Sequence, residues 1–516
     1  MISYKNPIIP GFYPDPSVCR VGQDYYLVTS SFEFFPGIPL FHSRDLIHWT
    51  QIGHVLTRKS QLNLEGCQSS GGLWAPTIRV HDNRFYVSVT NFDHGGNFFV
   101  WTDDIHGEWS DPIWVKQGGI DPSLFWDVDG KVYFQSTYDM EDDQAIGQCQ
   151  IDIETGEMLT ETELLWKGSG GKYPEAPHMF LRNGWYYLMI AEGGTEYGHM
   201  VTIARSKSPK GPFEGCPFNP ILTHRDTMLH HFQALGHGDL IDAPDGKTWM
   251  VFHGIRTTQY MLHHIGRETM IAPVEWTEDG WPVVNAGRKI LPDMTVDREP
   301  FAEPLMVVQS SCNIGLYSDI REELSLEWNY LRNPDPRLYV FDKEHDRIRI
   351  HGARCGLNAC DSPAFVGRRQ QHFDMKSEVW VDCDPCEEGE MAGLTIYHTY
   401  EHHYDLAVTC AAGAKVVVLR KHVGDMETVE GFVTIPEKEK VHLCVTSDKK
   451  VYEFWVGTQK TDLKKVGQGR SQLLSTECMP MTFTGCYVGL FAEGNHHAWF
   501  ERFRYMQTEL RSSENE

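Results

Sequence analysis

The sequence predicts an all-β protein, a five-bladed β-propeller followed by a β-sandwich domain. Short β-type runs separated by Gly, Pro, Asn and Asp turns replace helical periodicity through the first 300 residues or so. A strand–turn–strand unit recurs five times at a spacing of roughly 45–60 residues, the signature of stacked blades. Past residue 315 the repeat stops, and alternating segments such as "AGLTIYHTY", "AKVVVLRKH" and "KVHLCVTS" read as antiparallel sandwich strands.

Each repeat opens on a Pro- or Gly-containing motif. In order these are "YPDPSV" from Tyr13, "LWAPTIRV" from Leu73, "IDPSLFW" from Ile120, "PEAPHMFL" from Pro174 and "LGHGDLI" from Leu235. A polar turn follows ("VGQD", "HDN", "VDG", "RNG", "APDG"), then a second strand: "DYYLVTSSF", "RFYVSVTNF", "KVYFQSTYD", "GWYYLMIAE" and "TWMVFHGI". A blade cannot bury both faces alone, so neighbours stack around a central channel lined by their first strands. The residue at each opening therefore points toward the axis, and the five openings align Asp15, Ala75, Asp121, Glu175 and His237. Prolines on both sides of Asp15 restrict the backbone where the chain enters the first inner strand. The expected boundaries are a propeller over 1–300, a linker over 301–316 and a sandwich over 317–508, with a frayed end at "ELRSSENE".

Composition narrows the partners. A formal net charge of −25 and a pI near 5.4 repel phosphate backbones and anionic membranes, so neither nucleic acid nor a membrane surface is expected as a partner. No apolar run reaches the length of about 18 residues that a spanning helix needs. The start, "MISYKNPIIPGFYPDP", has no charged segment leading into an apolar one, so a cytoplasmic location is expected. The 13 scattered cysteines fit reduced thiols, and the lone "CDPC" at Cys383–Cys386 reads as a turn rather than a zinc site. Aromatics make up 12% of the chain, which suits both an all-β core and a sugar-binding surface.

Three of the five aligned positions are carboxylic. Converging carboxylates repel and lose hydration, a cost that a purely structural channel avoids. Hydrolysis of a glycosidic bond, in contrast, needs two carboxyls in opposite protonation states, and a third can set their pKa values apart.

The motifs "GFYPDPSV", "GGLWAPTIRV", "GGIDPSLFW", "KYPEAPHMF", "LGHGDL" and "IGRETMIAPVEW" resemble, in order, those of glycoside hydrolase family 43, the five-bladed β-xylosidases and α-L-arabinofuranosidases. "MTFTGCYVGLFAEG" is similar to the C-terminal sandwich of the β-xylosidase branch. The resemblance implies that Asp15 is the general base, Asp121 the residue that orients and tunes its neighbours, and Glu175 the general acid of an inverting enzyme. It implies that Arg267 keeps Asp15 ionised, and that Phe32 and Trp74 flank the terminal sugar. Phe483 would be lent to the site by the sandwich domain, closing it into a one-sugar pocket. His237 would support the acids by hydrogen bonding. The alternative for His237 is a channel calcium, although that ion prefers oxygen ligands. No cofactor is expected for the chemistry itself.

The expected activity is exo-hydrolysis of β-1,4-xylooligosaccharides from their non-reducing ends, releasing xylose. α-L-Arabinofuranosidase action on arabinoxylan-derived oligosaccharides, alone or alongside, is the enzymatic alternative. A non-catalytic sugar-binding propeller is the alternative from another class, and it has no need of three intact acids. Similar enzymes are often oligomeric, so a homo-oligomer stands beside a monomer as an expectation.

Overall fold

The computed structural model describes residues 1–141, 143–227, 230–296, 315–317 and 324–508. Most of the expected linker, 301–314, lies outside them. The chain divides into two compact units. The first comprises residues 1–64, 71–257 and 267–307; the second comprises 65–70, 258–266 and 308–516.

The first unit is a five-bladed propeller. Its blades are antiparallel sheets built from consecutive strands, and their innermost strands are Ser17–Val21, Leu73–His81, Ser123–Trp126, Glu175–Arg182 and Phe232–Asp242. The second strands, Asp24–Val28, Arg84–Asn91, Val132–Asp139, Trp185–Glu192 and Thr248–Arg256, return beside them. Apolar side chains fill the spaces between neighbouring blades. Phe99, Leu124 and Phe134 pack between the second and third, and Tyr187, Leu235 and Met250 between the fourth and fifth. Such clusters drive the assembly, because each buried side chain of this size contributes about 1.5–3 kcal/mol.

Every innermost strand begins with the same irregularity. Trp74 pairs with Thr90 and Thr77 with Ser88; Glu175 pairs with Ala191 and His178 with Met189; Gly236 pairs with His253 and Asp239 with Val251. Three residues on the inner strand thus span two on its neighbour, a β-bulge. In the other two blades the backbone bonds Ser30 N to Pro14 O and Thr137 N to Ile120 O produce the same count ahead of the Ser17–Val28 and Ser123–Gln135 pairs. The extra residue has positive φ in all five blades: Asp15 (55°), Ala75 (44°), Asp121 (57°), Ala176 (53°) and His237 (49°). The structure therefore corrects the sequence alignment in blade four. Ala176 holds the axial position, and Glu175 precedes it by one residue.

The N-terminal segment closes the ring against the last blade. Ile2–Lys5 pairs with Asp293–Val296, Ile8 N donates to Thr269 O (3.0 Å), and Tyr13 N donates to Arg267 O (3.1 Å). Glu268 is fully buried, and its carboxylate accepts Gly11 N (2.7 Å) and a forked pair of bonds from Arg256 (2.6 and 2.7 Å). The stretch before Asp15 is therefore laid along the strand Arg267–Trp276 before it enters blade one.

The second unit is a sandwich of two antiparallel sheets. One contains the strands Met391–Thr399, His402–Ala411 and Tyr487–Glu493, the other Met375–Asp382, Val441–Ser447 and His497–Gln507. Leu394, Leu406, Val379, Leu443 and Phe500 meet in its core. The short segments 65–70 and 258–266 belong to this unit: Cys67 O accepts Arg332 Nε (2.7 Å), and His264 O accepts Cys486 N (2.8 Å). Described cysteines are free thiols, and "CDPC" leads irregularly into a turn at 387–390, where Cys386 N and Glu387 N donate to the Glu390 carboxylate.

Gly119 places the bulge of blade three. It has φ 82°, and a Cβ there would fall on the carbonyl oxygen of Thr137, which leaves no room for any side chain. Gly119→Ala should cost upwards of about 2 kcal/mol, from backbone strain and collision together, measured as a loss in denaturant midpoint.

Candidate active site

Asp15, Asp121, Glu175, His237 and Arg267 converge at the axial end of the channel, although up to 252 residues separate them in the chain. Arg267 Nη1 forms a close ion pair with Asp15 Oδ1, and Nη2 reaches Oδ2 at 3.4 Å. Ser30 Oγ donates to Asp15 Oδ2 (2.5 Å) and accepts Ala75 N (2.7 Å), linking blade one to blade two. The Asp15 backbone N–H donates to His253 Nδ1 (3.1 Å). His237 Nδ1 lies 3.6 Å from Asp15 Oδ1, close enough for electrostatic support but longer than the hydrogen bond the sequence suggested.

These contacts set the protonation states. Burial pushes the Asp15 carboxyl up, but Arg267, His237 and His253 outweigh it and hold the group well below the ordinary carboxylate range. Glu175 behaves oppositely. Desolvation, then the Asp15 anion, push it up to about 8 against the opposing pull of Arg267. Asp121 is also raised well above its ordinary value, by burial and then by Glu175 and Asp15; it accepts a backbone N–H bond from Ala176, the residue beside Glu175. One carboxylate is thus kept ionised by a guanidinium, and in its field the Glu175 carboxyl keeps its proton to about 8 while Asp121 is shifted in the same direction. Asp15 and Asp121 are buried whereas Glu175 is partly exposed, so the raised acid is the one open to an incoming molecule.

A second polar layer lies one strand step below. Counting two residues on from each bulge reaches Ser17, Thr77, Ser123, His178 and Asp239, all buried. Asp239 accepts Ser17 Oγ (2.8 Å), Val18 N (3.1 Å) and Arg79 Nη1 (2.8 Å), and Arg79 Nη2 lies 2.8 Å from His178 Nδ1. Burial drives His178 down to about 3, so its ring is neutral and accepts from Arg79. Sequence reasoning missed this layer and missed His253. The available signal was a polar residue at the same offset from each of the five bulges.

The aromatic candidates divide. Phe32 is 2% exposed, packs on Phe12 with ring centroids 5.6 Å apart, and faces the Arg267 guanidinium at 5.9 Å. Trp74 is partly exposed and stacks face to face on Phe92 at 4.1 Å; Phe92 is itself 54% exposed and was not singled out from the sequence. Phe483 lies in the second unit, where its backbone N–H donates to Ser70 Oγ (2.9 Å).

Asp15, His237 and His253 are grouped closely enough to hold a metal ion. The donor set does not suit calcium. It offers two imidazoles and one carboxylate whose oxygens are already taken by Arg267 and Ser30, whereas calcium requires six to eight oxygens.

Comparison with known proteins places this geometry. The family model described as Glycosyl hydrolases family 43 matches residues 4–282, and the Beta xylosidase C-terminal Concanavalin A-like domain matches residues 320–506. A non-reducing end alpha-L-arabinofuranosidase from Bacteroides ovatus is 39% identical over 501 residues, covering 96% of this chain and 92% of that one. A xylosidase/arabinosidase from Humicola insolens is 34% identical, covering 95% of each chain, and a beta-xylosidase from Bacillus subtilis is 31% identical, covering 97% and 99%. The crystal structure of a xylan beta-1,4-xylosidase from Bacillus halodurans superposes with a TM-score of 0.89 at 32% identity, covering 98% of this chain and all of that one.

Two outcomes follow from the electrostatics. Arg267→Met should raise the Asp15 pKa and move the acidic limb of the pH–rate profile upward by about a unit or more, with kcat/KM falling about a hundredfold or more. Because Glu175 titrates near 8 when folded against an ordinary 4.5, its contribution to stability is full below about 4.5 and is lost as pH rises through about 8. Glu175→Gln, which never ionises, should therefore melt above the wild type, by a margin that grows between those two pH values.

Proposed function

The chain belongs to glycosyl hydrolases family 43, and from that premise we propose that it is an exo-acting, inverting pentosidase that releases D-xylose from the non-reducing ends of β-1,4-xylooligosaccharides. The observation that carries this reading is the opposite protonation of two convergent groups, Asp15 ionised on Arg267 and Glu175 protonated in the field of that anion.

In this mechanism Asp15 accepts a proton from a water molecule as the water oxygen bonds to the anomeric carbon. Glu175 gives its proton to the glycosidic oxygen as the bond between that oxygen and the anomeric carbon breaks. The new bond forms on the face opposite the departing sugar, so the configuration inverts. Inversion calls for about 6.5–9.5 Å between base and acid to admit the water. Asp121 holds the Ala176 N–H and so fixes the bulge from which Glu175 projects. Arg267, beside Asp15, is also a candidate to grip a sugar hydroxyl. The substrate is a neutral oligosaccharide, which the chain's charge of −25 does not repel.

A second reading, α-L-arabinofuranosidase as the main activity, is favoured by the 39% identical relative whose name states it. The two pentosides place similar groups around the scissile bond, so the same three acids serve either.

Glu175→Gln should lower kcat on xylobiose by about 10²–10⁴-fold and leave substrate binding measurable by calorimetry. Unchanged turnover would remove Glu175 from the reaction. Proton NMR of fresh product should show α-xylose first, and β-xylose would mean retention. Rates on the two p-nitrophenyl pentosides decide between the readings: a large excess for the arabinofuranoside selects the second.

A further inference from the structure

Glu192 takes no part in the acid chemistry, yet it is fully buried at the end of the second strand of blade four. Its carboxylate accepts Ser169 N (2.9 Å), Ser169 Oγ (2.9 Å), Gly171 N (2.8 Å) and Thr202 Oγ1 (2.5 Å). One residue further on, Gly193 N donates to Lys172 O (2.7 Å), and Lys172 Nζ pairs with both oxygens of Glu196 (3.1 Å). The loop that leads into Glu175 is therefore tied down at Ser169, Gly171 and Lys172.

This well-anchored loop presents an anomaly at its tip. Tyr173 is 54% exposed and has φ 53°, a conformation that a bulky aromatic rarely adopts and that costs of order 1–3 kcal/mol. Its ring rests against Gly194, where an added Cβ would meet a ring carbon at 3.0 Å, so the absence of a side chain there helps to set the ring's position. Lys172 Nζ lies 5.4 Å from the ring centroid. A strained backbone that holds a large apolar ring in water, on a loop anchored by a buried carboxylate, gains nothing for folding.

Its place in the chain suggests a use. Tyr173 stands two residues before Glu175. The group that protonates a glycosidic oxygen must lie beside the departing sugar, so a surface next to Glu175 meets the leaving-group side of the substrate. We propose that Tyr173 is a specificity-determining residue whose ring stacks on the sugar ring on the leaving-group side of the cleaved bond. The assignment rests on Glu175 being the general acid. Stacking uses the apolar face of the ring, so the phenolic hydroxyl is dispensable.

The test compares two substrates with the same xylosyl group: xylobiose, whose leaving group is a sugar ring, and methyl β-D-xyloside, whose leaving group needs the same proton from Glu175 but carries no ring. Tyr173→Gly should lower kcat/KM on xylobiose about three- to tenfold, the worth of one aromatic contact, and leave the methyl xyloside rate unchanged. Tyr173→Phe should keep both rates. Glycine relieves the positive φ, so the melting temperature of Tyr173→Gly should not fall, which separates lost stacking from a damaged fold. Equal xylobiose rates for Tyr173→Gly and wild type would overturn the proposal. So would an equal loss on both substrates, which would make the ring a support for Glu175 instead of a sugar platform. A wild type inert on every pentoside would overturn the hydrolase reading and this one with it, whereas an active wild type matched by Tyr173→Gly on xylobiose overturns this one alone.

Discussion

The ion pair between Asp15 and Arg267 links the first blade to the last and sets the charge of everything around it. Both groups are buried, and removing two charges from water is costly unless close geometry and further hydrogen bonds offset the loss. Here Ser30 supplies one such bond, and the two neighbouring histidines, both held neutral by burial, add dipoles without adding charge. The pair also has a backbone basis. Tyr13 N donates to Arg267 O and Glu268 accepts Gly11 N, so the chain is registered along blade five before Asp15 is reached. Ring closure and the ionised state of Asp15 thus involve the same residue, Arg267, through its backbone carbonyl and its guanidinium.

An anion fixed in this way governs the other two acids. With Asp15 charged, a second carboxylate nearby faces repulsion as well as desolvation, and the carboxyls of Glu175 and Asp121 are both raised above their ordinary range. The family of the chain and the roles proposed for these residues rest on different grounds, sequence similarity for one and electrostatics for the other. The second leads to a pair of carboxyls separated in pKa, as glycosidic hydrolysis requires.

The five bulges are the mechanical counterpart of this electrostatics. Each inserts one residue at positive φ, turns the strand toward the axis and leaves one side chain unpaired at the channel end. Asp and His tolerate such backbone better than most residues, but alanine does not, and Ala75 and Ala176 occupy it all the same. The strain is spread evenly around the ring, which makes it a property of the architecture. Beneath it, the Asp239–Arg79–His178 layer satisfies buried polar groups from three blades and gives the acids a rigid floor.

The blade repeat, the sandwich beyond it, the three acids and Arg267 were all legible in the chain, because each is a local pattern: alternation, turn chemistry, or a motif around one functional side chain. The one-residue offset of Glu175 was not, since "PEAP" aligns with "YPDP" by letters and only the strand pairing reveals that Ala176 holds the bulge. His253 and the Arg79 network were hidden for a related reason. Their importance arises from contacts across 99 to 238 residues of chain, as in Arg79 with His178 and His253 with Asp15. Residue types and spacings along the chain by themselves determined which chemistry this protein carries. Tertiary structure alone decided which carboxyl is charged, because a pKa depends on the distance to other charges and to water, and folding sets both.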